Sequence, residues 1–243
     1  MIDLALTIAL PLLGVGLFAL TLRFLFKEQV RWAPLGTALA CVFLYWVAVV
    51  GGSELQALIP ALETLEWNWA GKLTAIAATL LLIVIMPGVD AKAAGLTLHQ
   101  RAGSLPGVIV CTLLMCALAW GTEMLAVDGT DLSPERLAYQ ATMPGLDEEL
   151  FFRGLLLALL LKAFDERWTL AGAPVGPAAA AITFFFAAGH GLAGANGSLH
   201  FDLASFAVTG ALGFGLLWLR QRTGSLVAPV LVHNLLNVGS SFF

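Results

Sequence analysis

Apolar residues run along this chain in long stretches separated by short polar connections, a pattern that predicts membrane-spanning helices. Eight stretches stand out: Ile2–Leu22, Ala33–Gly51, Leu73–Val89, Leu105–Leu125, Glu148–Ala163, Val175–Leu192, Leu203–Leu219 and Leu226–Phe243. Each compares with the ~20 residues that cross a bilayer core, and the shorter ones, near 17, remain within range. The predicted fold class is therefore an all-α polytopic membrane protein of about eight transmembrane helices. These spans consume most of the chain and leave no room for a separate soluble domain. Residues 1–126 form a four-span N-terminal half, expected to be a scaffold, and 127–243 a four-span C-terminal half, the two making one integrated membrane domain. The first stretch does not read as a signal peptide, since it starts with an acidic residue (Asp3) and lacks a small-residue cleavage site.

Composition agrees with the pattern. Of 243 residues, 59% are hydrophobic and only 12% charged, and the mean hydropathy is +0.89. A soluble domain carries roughly twice that share of charge. The partner this implies is the lipid bilayer, and no nucleic acid. The net charge of −4 says less than where the charges fall. Nine of the twelve basic residues lie in alternate connections or their flanks: Arg23, Lys27, Arg31, Lys92, Arg101, Lys162, Arg167, Arg220 and Arg222. Lys72 and Arg136 lie on the opposite side, and Arg153 falls inside the membrane. The positive-inside rule then places the basic connections in the cytoplasm and both termini outside. The setting is that of a prokaryotic cytoplasmic membrane. Cys41, Cys111 and Cys116 lie in apolar runs at spacings that fit no metal site or disulfide framework, and are expected to be packing residues.

The first four spans carry almost nothing reactive. The external connection from Gly52 to Gly71 alternates acidic and apolar residues around Trp67 and Trp69 and is expected to form an interfacial helix. His99 and His200 fall in connections and are expected to be loop residues. Ser133-Pro134-Glu135 is a helix start, with a capping serine and a proline at the first helical position. That helix is expected to end near Pro144-Gly145, so that the next begins at about Asp147, with its acids at the positive end of the dipole.

The candidate chemistry is concentrated in Asp147-Glu148-Glu149-Leu150-Phe151-Phe152-Arg153-Gly154, which opens the fifth span. Carboxylates at membrane depth are costly unless they face a partner or a water-filled cavity. Helical spacing puts Arg153 one turn after Glu149, close enough to pair with it. Glu148 lies about 100° round the helix and is left available. A carboxylate held by an internal cation, beside one left free, is an arrangement suited to acid–base work. The plainer alternative is an interfacial Glu–Arg pair ending a span.

Two later spans add to the set. The sixth carries Phe186 and His190 one turn apart, and the eighth carries His233, Asn234 and Asn237, with His233 and Asn237 on one face. His190 stands roughly 22 Å along its span, His233 roughly 14 Å and Asn237 roughly 20 Å, all on the outer side with Glu148. Independent helices thus bring polar groups to one level. Gly210, Gly213 and Gly215 are expected to admit close neighbours to span seven, and Pro229 to kink span eight and aim His233 inward.

Taken together, Glu148-Glu149-x-x-x-Arg153, Phe186-x-x-x-His190 and His233-x-x-x-Asn237 resemble the three signature motifs of the CPBP family, the CAAX prenyl endopeptidase and bacteriocin-processing (Abi) membrane proteases. Phe152-Arg153-Gly154 and Arg222-Thr223-Gly224-Ser225-Leu226 match its context, and the resemblance covers Asp147 to Asn237. It implies an intramembrane endopeptidase with eight helices around a water-accessible polar cavity. It also implies that Glu148 activates a water with help from His190, while His233 and Asn237 hold the oxyanion. The chemistry agrees: a carboxylate takes a proton from water, and imidazole and amide donors stabilise a tetrahedral oxyanion. Glu149, Arg153 and Phe186 are supporting residues, and Asp147, which matches no signature position, is expected to be an interfacial charge.

No cofactor is expected. A zinc-dependent CAAX-type endopeptidase is the alternative, disfavoured by the absence of an H-E-x-x-H spacing, by the asparagine, and by the lack of an evident supporting carboxylate for either histidine. A non-catalytic immunity or scaffolding protein is the alternative from another class. The expected substrate is a protein or peptide with a membrane-embedded or lipid-modified segment. The orientation favours an exported or membrane-anchored one, such as a protein with a C-terminal sorting helix.

Overall fold

The computed structural model describes residues 2–24, 27, 29–126, 130–166, 168–195 and 198–243. Arg167, counted above among the basic flanks, lies outside them. The chain is a bundle of helices: α1 Ile2–Phe24, α2 Trp32–Leu58, α3 Trp69–Ile85, α4 Leu105–Ala126, α5 Pro134–Gln140, α6 Met143–Glu148, α7 Leu157–Ala163, α8 Pro177–Gly191, α9 Leu203–Thr223 and α10 Val227–Ser240. A π-helical stretch, Glu149–Leu156, joins α6 to α7. Among the described residues, three helices are long and apolar enough to cross a membrane: Trp32–Leu58, Leu105–Leu125 and Leu203–Thr223. Shorter apolar helices run over Ile8–Phe24, Trp69–Ile85 and Val227–Ser240. Large apolar side chains such as Leu13, Leu17, Val47, Val84, Leu113 and Leu114 are exposed on the outside. Apolar surface on that scale is stable only when lipid covers it, so this is a membrane protein.

The fifth predicted span is not a lipid-facing helix. Every residue from 149 to 160 is buried, and the α6–π–α7 rod packs against α2, α3, α8, α9 and α10. Its composition is lipid-like because it is the core of the bundle. Short hairpins flank the sixth. Trp168–Leu170 (β1) pairs antiparallel with Ala173–Val175 (β2), and Leu192–Ala195 (β3) with Ser198–Phe201 (β4). Ala171 and Gly172, at φ 47° and 82°, form the first turn, a two-residue geometry whose twist suits paired strands. His200 is exposed as expected but sits on β4 rather than in a loop. His99 is an exposed residue of the connection.

Local rules account for the helix ends. Ser133 caps α5, its hydroxyl accepting from the Arg136 N–H, with Pro134 at the first position. Asp202 caps α9 by accepting from the Ala204 and Ser205 N–H groups, and Gly224, at φ 78°, closes it in the left-handed conformation. The expected interfacial helix over 52–71 is absent: α2 continues to Leu58, turns follow, and α3 begins at Trp69. Gly52 explains why α2 extends. It lies so close to Gly71 of α3 that a Cβ would meet its Cα at 2.7 Å, so the segment is held against α3 instead of lying in the interface. Pro229 stands in the first turn of α10, where there is no helical hydrogen bond to lose, so it starts the helix and produces no kink.

Candidate active site

α5 ends at Gln140, and a fresh helix, α6, starts at Met143 with Pro144 in its first turn. Pro144 and Gly145 therefore begin the acid-bearing helix rather than break the chain before it. The three acids lie beyond its first turn and gain little from its dipole. Gly145 lets α10 approach: its N–H donates to Asn234 Oδ1 at 2.8 Å, and a Cβ there would fall 2.4 Å from that oxygen. Asn234 thus docks α10 onto α6, one residue along from His233.

Glu149 and Arg153 pair as their spacing predicts, at 3.0 Å with both side chains fully buried. The guanidinium also donates to the Gly213 carbonyl at 2.8 Å and lies 4.1 Å from the centre of the Phe186 ring. Gly213 is required here, since a Cβ would stand 2.7 Å from that ring; Gly210 and Gly215 are likewise buried against neighbouring helices. Phe186 also contacts the His190 and His233 rings, at 4.8 and 6.0 Å between centroids. The supporting role expected of it has a geometric basis.

His233 Nδ1 lies 2.8 Å from Glu149 Oε1. This corrects the expectation that neither histidine has a supporting carboxylate; the sequence hid it because Glu149 already had an obvious partner in Arg153. An ionised carboxylate only accepts, so Nδ1 carries the hydrogen and Nε2 is turned elsewhere. His190 Nδ1 lies 2.8 Å from the Phe186 carbonyl and donates to it by the same logic, leaving its Nε2 as an acceptor when the ring is neutral.

Of the three acids, Glu148 is the one that lines the cavity. One oxygen, Oε1, accepts from Lys72 Nζ at 2.7 Å. The other, Oε2, is buried without a hydrogen-bond partner and stands 4.0 Å from His233 Nε2. Glu148, His190, His233 and Asn237 line one cavity of about 330 Å³, with Lys72 and Phe186 also in its wall. All four proposed site residues are brought together, from three separate helices.

Asp147 is not an interfacial charge. It is fully buried, accepting from the Tyr45 hydroxyl at 2.7 Å and Lys72 Nζ at 2.9 Å through one oxygen. Sequence reasoning missed Lys72 and Tyr45. Lys72 reads as a loop charge because it stands at the very edge of an apolar run. The only signal is that a lone cation at a span's start must find a partner. The buried cluster holds three carboxylates, Asp147, Glu148 and Glu149, against two cations, Lys72 and Arg153. On the rim, outside the spans, Glu135 accepts from the Trp67 N–H and the Trp69 indole, both at 3.1 Å. Those bonds, the Trp67 N–H first, hold its carboxyl below the usual carboxylate range.

Zinc is the alternative cofactor. Glu149 Oε1 is already taken by Arg153 and His233, and among the described residues no three His, Cys, Asp or Glu side chains converge as metal ligands do.

A bundle solvated outside by lipid thus holds an acid, a cation and two imidazoles around an inner cavity. Residues 134–239 match the family described as Type II CAAX prenyl endopeptidase Rce1-like, a similarity over the same part of the chain that carries the motifs. No curated protein and no solved structure matches it.

Proposed function

We propose that this protein is an intramembrane endopeptidase of glutamic type, in which Glu148 activates the attacking water. The observation that carries the reading is the place of Glu148: of the three acids it alone lines the cavity, with Oε1 tied to Lys72 and Oε2 unpartnered 4.0 Å from His233 Nε2. Glu148 Oε2 takes a proton from water as its oxygen attacks the peptide carbonyl carbon, and the carbonyl electrons move onto oxygen. His233 Nε2–H and the Asn237 amide donate to that oxyanion. Because Nδ1–H is committed to Glu149, Nε2 donates only when the ring carries both protons. The tetrahedral intermediate then collapses, the C–N bond breaks, and the leaving amine takes the proton held by Glu148; His190, in the wall of the same cavity, assists Glu148 in activating the water.

The substrate we propose is a protein or peptide presenting a membrane-embedded or lipid-modified segment. A prenylated C-terminus is the second reading, favoured by the description of the matched family. The test is mapping of new peptide termini in membranes from cells carrying wild type, E148Q, H190A or H233A. Termini at lipid-modified or membrane-anchored proteins should appear with wild type only. Residues acting as a unit lose activity non-additively, so a double variant should be little worse than a single one. The same termini with E148Q would overturn the assignment of the base, and would favour the scaffolding alternative if no variant changed any terminus.

A further inference from the structure

We propose that Lys72 is a positioning residue that holds Glu148 by one oxygen and so presents the other to water. This deepens the reading of Glu148 as the base and rests on it. The matched family segment begins at residue 134, so Lys72 comes from the half of the chain expected to be a passive scaffold.

The placement of Lys72 is built from several independent contacts. Asn68 caps α3 by accepting from the Gly71 N–H at 2.9 Å. Gln56 of α2 accepts from the Ala70 N–H and donates to the Trp67 carbonyl, each at 2.9 Å. The Thr74 hydroxyl donates to the Ala48 carbonyl at 2.8 Å. The first turn of α3 is therefore locked to α2 on both sides of Lys72, and the ammonium is delivered to a fixed point with its side chain only 13% exposed.

A lysine that merely neutralised a stray buried acid would bond Asp147 alone. Here Nζ bridges Asp147 at 2.9 Å and Glu148 at 2.7 Å, and it reaches the cavity wall itself. Asp147 has a second donor in Tyr45, whose ring is stacked on Phe151 at 4.1 Å. Asp147 and Tyr45 thus fix the ammonium from behind, and the ammonium fixes Glu148 from the side away from Oε2. A glutamate side chain held only at its backbone has three rotatable torsions. Tying one oxygen removes that freedom where misplacement by about 1 Å costs on the order of 10²-fold in rate.

The test does not depend on the natural substrate. A hydrophobic carbodiimide, dicyclohexylcarbodiimide, reacts with protonated carboxyl groups in apolar surroundings, and mass spectrometry locates the adduct. Purified full-length wild type, K72R, K72M and K72M/D147N are compared, the last keeping the net charge of the cluster while removing the tether. Glu148 should resist modification in wild type and K72R and be modified roughly tenfold faster or more in K72M and K72M/D147N, as expected on losing a cation at about 3 Å. K72M/D147N decides the matter if K72M does not fold, since it adds no net charge to the buried cluster. Glu148 as unreactive in K72M/D147N as in wild type, or reactive in wild type itself, would overturn the positioning role. Terminus mapping with E148Q is run alongside. Processing that survives E148Q defeats the assignment of the base, whereas carbodiimide labelling unchanged by loss of Lys72 defeats only the role of Lys72.

Discussion

Arg153→Met should destabilise the protein sharply, and the structure indicates by how much. Arg153 is fully buried, pairs with Glu149 at 3.0 Å, donates to the Gly213 carbonyl at 2.8 Å and lies on the Phe186 ring at 4.1 Å. Removing one partner of a buried ion pair costs ~3–5 kcal/mol, because the other charge is left without compensation. The lost contact with the ring, ~2 kcal/mol when desolvated, and the orphaned carbonyl, ~1–3 kcal/mol, fall within the same event and do not simply add. With a melting shift of ~2–4 °C per kcal/mol for a chain of this size, R153M should melt roughly 6–20 °C below wild type in detergent. The double variant E149Q/R153M supplies the discriminating comparison. It removes both charges, yet the side-chain amide oxygen it introduces can still accept from His233 Nδ1, so most of the lost stability should return. Thermal unfolding followed by loss of the monodisperse chromatographic peak measures both. An R153M protein that melts with wild type, or a double variant no better than R153M, would refute the claim that the penalty comes from the stranded Glu149 charge.

Glu135 supplies a pH prediction. Its folded pKa lies below its unfolded value, so its contribution is present above the unfolded value, near 4.5, and is lost as pH falls through the folded one. The melting difference between wild type and E135Q should be constant from pH 7 down to about 5 and should shrink as the solution is made more acid; a difference that grows in acid would show the sign to be wrong. A glutamate-activated water needs no metal, so terminus production by purified protein in liposomes should survive exhaustive chelation. Stoichiometric zinc by elemental analysis, with activity lost on stripping and restored on adding it back, would defeat that mechanism.

What is legible in the sequence is local or periodic. The Glu149–Arg153 pair follows from i,i+4 spacing, the Ser133 cap from residue chemistry, and the gathering of Glu148, His190, His233 and Asn237 from a common depth on separate helices. What is hidden depends on tertiary contact. Lys72 reaches Asp147 across 75 residues, and nothing near it in the chain announces the partner. Asp147 reads as interfacial because its neighbours look like a helix end, whereas helix precedes and follows it inside the bundle. The π-helical stretch is invisible because its residues have ordinary helical preferences; such widened turns concentrate at functional sites, and this one carries Glu149 and Arg153. The buried rod reads as a lipid-facing span because a helix that is apolar all round looks alike in both settings.

The side of the membrane from which the site works is the last prediction, and the fold sharpens it. The basic residues that the sequence assigns to alternate connections are packed together at one end of the bundle. Arg31 binds Asp165 at 2.8 Å and Lys162 donates to the Pro87 carbonyl at 3.0 Å. Arg220 donates to Ala93 and Arg101 to Gln221, at 2.8 and 2.7 Å, on the same run of connecting chain. The cavity belongs to the other end. α3 starts at Trp69 and finishes at Ile85, roughly 25 Å apart, with Lys72 and the cavity at its start and the basic cluster just past its finish. One end thus collects the cations that favour the cytoplasmic face, and the cavity with Glu148 lies towards the opposite end. The outcome expected on that rule is a site working from the non-cytoplasmic side, with Phe243 on that side too. A reporter fused at Phe243 should then score as external, and one inserted beside Arg167 as cytoplasmic. The reverse pattern would place the cavity mouth in the cytoplasm, where a prenylated C-terminus is presented, and would replace the exported or membrane-anchored substrate with that one.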